Sequence, residues 1–319
     1  MTKLVLLQQF IEEFYKKHNR ICVILGKFIF VLAALLSTNY LIGYSPIIQK
    51  WYVLACIAGV SVFLPENIIL FAVMAVSVMN IYYVSVPLSG LVVMFLLILY
   101  LLFLRLEKTH MYVILGMIIL HILHLPYLMP LLVGIFLTPV GVISMCTGIF
   151  IYHLFNAINL VVSVSSEDAL FYTQVMDEMF SKMALQEEVL IFALVAVVVY
   201  LIRTNDNEYF IYISIVVGSV LDLILFLLLN FLFSNNMEIL YFILEISISF
   251  VIAMILIFFR FPLNYAQVEK MQFEDDEYYY YVKAVPKLKV NAMERSVMRF
   301  NAKRRGSRKD KEPEEKSAL

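Results

Sequence analysis

Residues 140–163 have the sequence VGVISMCTGIFIYHLFNAINLVVS, and this stretch decides the class of fold. It contains no Lys, Arg, Asp or Glu, and His153 is its one ionisable side chain. About 20 apolar residues suffice for a helix to cross the hydrocarbon core of a bilayer, because each residue adds about 1.5 Å. The stretch therefore predicts a membrane-spanning helix that carries a histidine inside it.

The composition of the whole chain agrees with this prediction. Of the 319 residues, 62% are hydrophobic and 15% are charged, whereas soluble domains are nearer half apolar and a quarter charged. Only 19 of the 49 Lys, Arg, Asp and Glu residues fall between positions 21 and 259. We therefore predict an all-α, polytopic transmembrane helix bundle with a short cytoplasmic tail.

Apolar segments divide the region 21–260 into predicted spans of two kinds. Two regions are short: 51–64, and 110–138, which the sequence HLPYLMP breaks into 110–124 and 126–138. Counting these short pieces gives about ten spans, and the alternative is eight spans with one short pair that enters and returns on one side. The longer predicted spans are 21–44, 67–86, 88–104, 140–163, 188–203, 209–232 and 237–259.

Basic residues predict the orientation. Residues 260–319 hold 14 of the 24 Lys and Arg residues, and residues 1–20 hold four more. Because cytoplasmic segments are enriched in Lys and Arg, both termini are expected in the cytoplasm of a cell with this protein in its plasma membrane. The acidic loop 164–187 is then external.

Two segments outside the predicted spans have helical periodicity. Residues 1–20 place apolar side chains on one face, which predicts a cytoplasmic amphipathic helix on the membrane surface. The loop 164–187 also predicts a helix with an apolar stripe. This external helix has three alternatives: it lies on the membrane face, caps a cavity or meets a partner.

The tail, residues 261–319, begins with an acidic and tyrosine-rich run and ends with a basic one. The sequence FEDDEYYYYVKAVPKLKV at 273–290 favours a strand, which pairs within the tail or adds to the sheet of another protein, and a third alternative is that its tyrosines anchor at the lipid headgroups. The basic run predicts binding to anionic lipid headgroups and not to nucleic acid, and its end is expected to be disordered. The candidate partner-binding residues are Tyr278, Tyr279, Tyr280, Tyr281 and Lys283, and the candidate lipid-binding residues are Arg299, Lys303, Arg304 and Arg305.

Ionisable residues inside predicted spans are the candidate functional residues, because burying them is costly unless they are paired or hydrated. His153, Asp222 and Glu245 fall at similar depth in the ten-span topology, which predicts a substrate or proton-coupling site if their helices adjoin. The alternative is neutralised or hydrogen-bonded residues at helix contacts. His121 and His124 lie on one helix face without a third ligand nearby in sequence, so no metal and no cofactor are predicted.

Four sequence stretches resemble a group of uncharacterised polytopic membrane proteins of Gram-positive bacteria: FLPENIILF, LLFLRLEKTHMYVIL, HLPYLMPLLVGIFLTPVGVISMCTGIFIYH and FEDDEYYYYVKAVPK. The resemblance implies a membrane location and a multi-pass topology, and no activity. No P-loop, HExxH or GxSxG motif is present. The leading hypothesis is a non-enzymatic scaffold that docks partners through its tail. A secondary transporter is second, and a membrane enzyme that uses loop carboxylates is third.

Overall fold

A computed structural model provides the structure of the chain. It describes residues 7, 10–11, 14–15, 17–103, 109–164, 171–181, 184–204, 209–233, 239–260, 269–274 and 279–284. The chain divides into two compact units, residues 1–262 and residues 263–319.

The first unit is helical. The segments between its helices are short, as expected where long apolar runs alternate with brief polar breaks. They are α1 (Asn19–Ile42), α2 (Trp51–Ser61), α3 (Glu66–Tyr82), α4 (Val86–Phe103), α5 (Thr109–Ile122), α6 (Leu128–Phe136), α7 (Val140–Val164), α8 (Phe171–Ser181), α9 (Ala184–Arg203), α10 (Tyr209–Phe233) and α11 (Ile239–Arg260).

Five of these helices, α1, α7, α9, α10 and α11, are long and apolar enough to cross a membrane. The predicted count of about ten spans is not supported. The α2 helix has 11 residues and α6 has 9, so each is only about 14–17 Å long, roughly half of the hydrocarbon thickness. The Leu-Pro breaks account for these lengths, because proline disfavours a helical residue before it.

The α5 and α6 helices form a hairpin whose turn lies partway along α7, with the His124 side chain 83% exposed. Helix α5 runs parallel to α7, because His110 Nδ1 lies 2.6 Å from Ser144 Oγ at one end and the His121 and His153 rings are 6.2 Å apart at the other. His153 lies 11 residues before the end of α7. The turn after His121 is therefore about 16 Å short of that end.

The returning helix α6 runs alongside α9. The ring of Tyr127, just before α6, is 5.7 Å from that of Phe192, and Gly134 near the end of α6 lies against Val199. From the first pair to the second, the residue number increases on both helices. The α6 helix therefore runs parallel to α9 as it leaves the turn. The eight-span alternative, with one short pair that enters and returns, stays a prediction.

A hydrogen-bonded helix end creates the turn. His124 has a φ of 56°, the left-handed conformation usually taken by glycine, and Pro126 follows it. The His124 amide donates to the His121 carbonyl at 3.1 Å, and the Leu125 amide donates to the Leu120 carbonyl at 2.8 Å. These two bonds form a Schellman motif, which ends α5 one residue after His121.

The second unit contains a two-stranded antiparallel sheet of β1 (Glu269–Glu274) and β2 (Tyr279–Ala284). Its register pairs Glu269 with Ala284 and Glu274 with Tyr279. The predicted strand thus has a pairing partner within the tail. Tyr278 and the predicted lipid-binding residues lie outside the described residues, as does most of the segment 1–20.

Candidate metal centre

Three ionisable side chains meet beside the turn of the α5–α6 hairpin. Glu188, in the second turn of α9, places Oε1 2.6 Å from His121 Nε2 and Oε2 2.8 Å from His153 Nε2. The side chains of His121, Glu188 and His153 are 7%, 12% and 17% exposed. Their ligand atoms all lie within 4.8 Å of one another. We call these three residues the His–His–Glu cluster.

The hydrogen bond from His121 to the backbone fixes the tautomer of its ring. The tautomer in turn determines what can lie between the ring and Glu188. His121 Nδ1 is 2.9 Å from the Met117 carbonyl oxygen, and because a carbonyl only accepts, Nδ1 carries the hydrogen. In the neutral imidazole, Nε2 is then an acceptor that faces a second acceptor, the Glu188 carboxylate. Two acceptors at 2.6 Å require a positive charge between them, which is either a proton or a metal ion.

The surroundings of His121 suit a metal ligand. Ligating histidines almost always donate their other ring N–H to a carboxylate, a carbonyl or water, which fixes the ring and its tautomer. The Met117 carbonyl has this role for His121. The His121 ring also stacks on Tyr152, with centroids 3.9 Å apart and planes inclined by 24°.

Two histidines and one glutamate form a ligand set of the type that binds catalytic zinc. Bonds of about 2.0–2.1 Å in a tetrahedral site put ligand atoms about 3.3 Å apart. The Nε2 atoms and the carboxylate oxygens are 2.6 and 2.8 Å apart here. For a metal ion to bind here, each Nε2 atom and the carboxylate oxygen that it faces must therefore move apart by about 0.5–0.7 Å.

The α8 helix covers a small cavity next to the cluster. Its buried residues Val175 and Met179 pack into the core of the first unit. The cavity has a volume of about 110 Å³ and is lined by His153 and Asn156 of α7, Glu178 of α8 and others. A polar cavity of this size holds a few water molecules. The three alternatives for loop 164–187 stay predictions.

The structure separates the three residues that the sequence analysis grouped. His153 contacts Glu188, whereas Glu245 on α11 is 3.6 Å from His124. Asp222 on α10 is fully buried, and neither carboxylate oxygen has a hydrogen-bond partner. Within the described part of the chain, none of the three pairs directly with another of the three.

Glu188 was not predicted as a functional residue. The predicted span began at residue 188, and the acids before that residue were interpreted as loop charges. The helix begins at Ala184 instead. That shift brings Glu188 inside the first two turns, where its side chain faces α5 and α7. The signal was the pair Glu187–Glu188 immediately before an uninterrupted apolar run.

The bundle and the cluster define a helical protein suited to a bilayer, with two histidines and a glutamate converging among its helices. No family model matches the chain, and no curated protein or solved structure matches it. The resemblance to Gram-positive membrane proteins therefore stays a prediction.

Proposed function

We propose that this chain is a multi-pass membrane protein that acts as a metal-dependent hydrolase, with a divalent ion such as Zn²⁺ held by His121, His153 and Glu188. The observation that carries the proposal is the convergence of these three ligand atoms beside a cavity that also contains a carboxylate, Glu178. Three protein ligands leave a fourth position for water. In a bilayer the hairpin of α5 and α6 would be re-entrant, with its turn below the external surface.

Each residue has a distinct role in the proposed reaction on an ester or amide of a membrane-borne substrate. His121, His153 and Glu188 would hold the ion, which would supply Lewis-acid activation of a water molecule and of the substrate carbonyl group. Glu178 accepts the proton of the attacking water, whose hydroxyl bonds to the acyl carbon. The bond from that carbon to the leaving oxygen or nitrogen breaks, and Glu178 returns the proton to the leaving atom. No electrons are transferred to or from a second molecule.

Metal content and turnover of the purified full chain test this proposal. We expect about one tightly bound Zn²⁺ per chain by elemental analysis, and loss of the ion in His153→Gln, because a ligand is removed. Glu178→Gln should keep the ion and lower the hydrolysis of a long-chain fluorogenic ester by roughly 100-fold or more, as expected for a lost general base.

The matched controls are His124→Gln and a chain without residues 263–319, both of which should retain zinc and turnover. A His153→Gln protein that retains the wild-type zinc content contradicts the centre. The truncated chain also tests the scaffold proposal for the tail, because partners that co-purify with the full chain should be lost with it. Unchanged partners would count against docking through the tail.

A second candidate function is a secondary transporter, and the buried Asp222 favours it. Gly218 and Phe226, one turn to either side of Asp222, lie against α6 and α9, so this carboxyl group faces the interior of the bundle. Interrupted helices with a buried ionisable group form the substrate or ion sites of many transporters.

Asp222→Asn distinguishes the two functions. If the protein transports a cation, reconstituted vesicles should show cation or proton flux that the substitution reduces by about tenfold or more, because the group that carries the charge is lost. The hydrolase proposal predicts no such flux and unchanged ester turnover. Absence of proton, sodium and zinc flux in wild-type vesicles would exclude the transporter.

A further inference from the structure

A second cavity lies on the other side of the hairpin turn, between that turn and α11. It has a volume of about 810 Å³, within the range of small-molecule sites. Most of its surface is apolar, with polar atoms concentrated at a few positions. The lining residues, which we call the groove, are Leu123, His124, Leu125, Tyr127, Tyr241, Phe242, Leu244, Glu245 and Ile248.

The groove combines one carboxylate with three aromatic side chains. Glu245 is 28% exposed and is 3.6 Å from His124 Nδ1, a distance too long for a hydrogen bond. His124 and His121 are the two histidines that lie near this carboxylate among the described residues. Tyr241, which is exposed, lines the same space, and the buried Tyr127 and Phe242 form its wall. A carboxylate beside aromatic rings is the arrangement that binds amines and quaternary ammonium groups.

The position of Glu245 along α11 suits the headgroup of an amphiphile. It lies six residues after the first residue of the helix, or about 9 Å along its axis. Leu244 and Ile248, which also line the groove, are 50% exposed, and Ile248 continues the apolar surface from Glu245 toward the middle of the helix. A cationic headgroup at Glu245 would therefore place its hydrocarbon chain alongside α11.

We propose that the groove binds a lipophilic organic cation, with an amine or quaternary ammonium group at Glu245 and one hydrocarbon chain along α11. This proposal is independent of the metal centre, because the groove residues include none of the three cluster residues. It assigns a function to Glu245, which lies outside the proposed hydrolytic cavity.

Binding of radiolabelled dodecyltrimethylammonium to the full chain in dodecyl maltoside micelles tests the proposal. We expect saturable binding of about one molecule per chain. Glu245→Gln should weaken it about tenfold, equivalent to 1.4 kcal/mol, because the charge is lost and the shape is kept. Tyr241→Leu should weaken it as well, since one aromatic face is removed.

Two comparisons make the result specific. Glu66→Gln removes a carboxylate at the start of α3, outside the groove, and should leave the affinity unchanged. The dodecyl maltoside of the micelles carries the same dodecyl chain without a charge and is present in excess, so saturable binding of dodecyltrimethylammonium already requires recognition of its cation. Equal binding by wild type and Glu245→Gln, or no saturable binding above that of protein-free micelles, would overturn the proposal.

Discussion

Replacing Glu188 with glutamine is expected to lower the affinity of the purified chain for Zn²⁺ by at least 100-fold. The carboxylate is the residue that contacts both histidines, at 2.6 and 2.8 Å. Removing a partner from a metal-bound histidine already costs 10–100-fold in affinity, and removing a ligand itself costs more. Competition with a chromophoric zinc chelator measures the change.

The same substitution should also destabilise the protein without metal. Glu188 and its two histidines are mostly buried, and losing one member of a buried ion pair costs about 3 kcal/mol because the remaining polar groups lose their partner. Thermal unfolding in detergent should therefore show a lower midpoint. In addition, zinc should raise the midpoint of the wild type and leave that of the variant unchanged.

A second ion pair provides the matched control. Lys27 and Glu66 are 3.0 Å apart and about one-fifth exposed, and they join α1 to α3 outside the cluster. This pair is also mostly buried, so Glu66→Gln should lower the unfolding midpoint as well, but it should leave zinc affinity unchanged. If Glu188→Gln binds zinc as tightly as Glu66→Gln does, the ion is not held by the His–His–Glu cluster.

Local patterns in the sequence were sufficient to predict the long apolar helices of the bundle. The run 140–163 corresponds to α7 within one residue, and 209–232 corresponds to α10 within one residue. Uninterrupted apolar runs form helices wherever they pack, so their existence depends little on tertiary context. The long loop helix was also predictable, because its stripe includes Val175 and Met179, which are buried.

The count of spans and the composition of the cluster were not predictable in the same way. The turn at His124 lies partway along α7 because α5 and α6 pack on α7 and α9, and those contacts are not encoded in the local pattern of 110–138. The three residues of the cluster lie on three different helices. His153 is 32 residues after His121, and Glu188 is 35 residues after His153. His153 was grouped with Asp222 and Glu245 because the ten-span topology placed the three residues at similar depth. The position of α9 was unknown.

Close packing of α5 on α7 makes Gly148→Ala the second substitution with a large expected effect. A Cβ at residue 148 would lie 2.7 Å from Met117 Cβ and 2.9 Å from the Ile114 carbonyl oxygen. Neither neighbour is the end of a flexible side chain, so the helices themselves must separate. Overpacking of this kind costs about 1–3 kcal/mol.

The displacement would also reach the metal centre, because the Met117 carbonyl accepts the hydrogen bond that orients His121. We therefore expect Gly148→Ala to lower the unfolding midpoint and to weaken zinc binding by roughly 10-fold or more, as for loss of an outer-shell partner. Gly59→Ala in α2 is the control, since a Cβ there meets no atom within 4 Å. It should be neutral or stabilising by up to about 1 kcal/mol, because alanine is the better helix former. A Gly148→Ala protein with the stability and zinc affinity of Gly59→Ala would show that the approach of α5 to α7 does not set the geometry of the cluster.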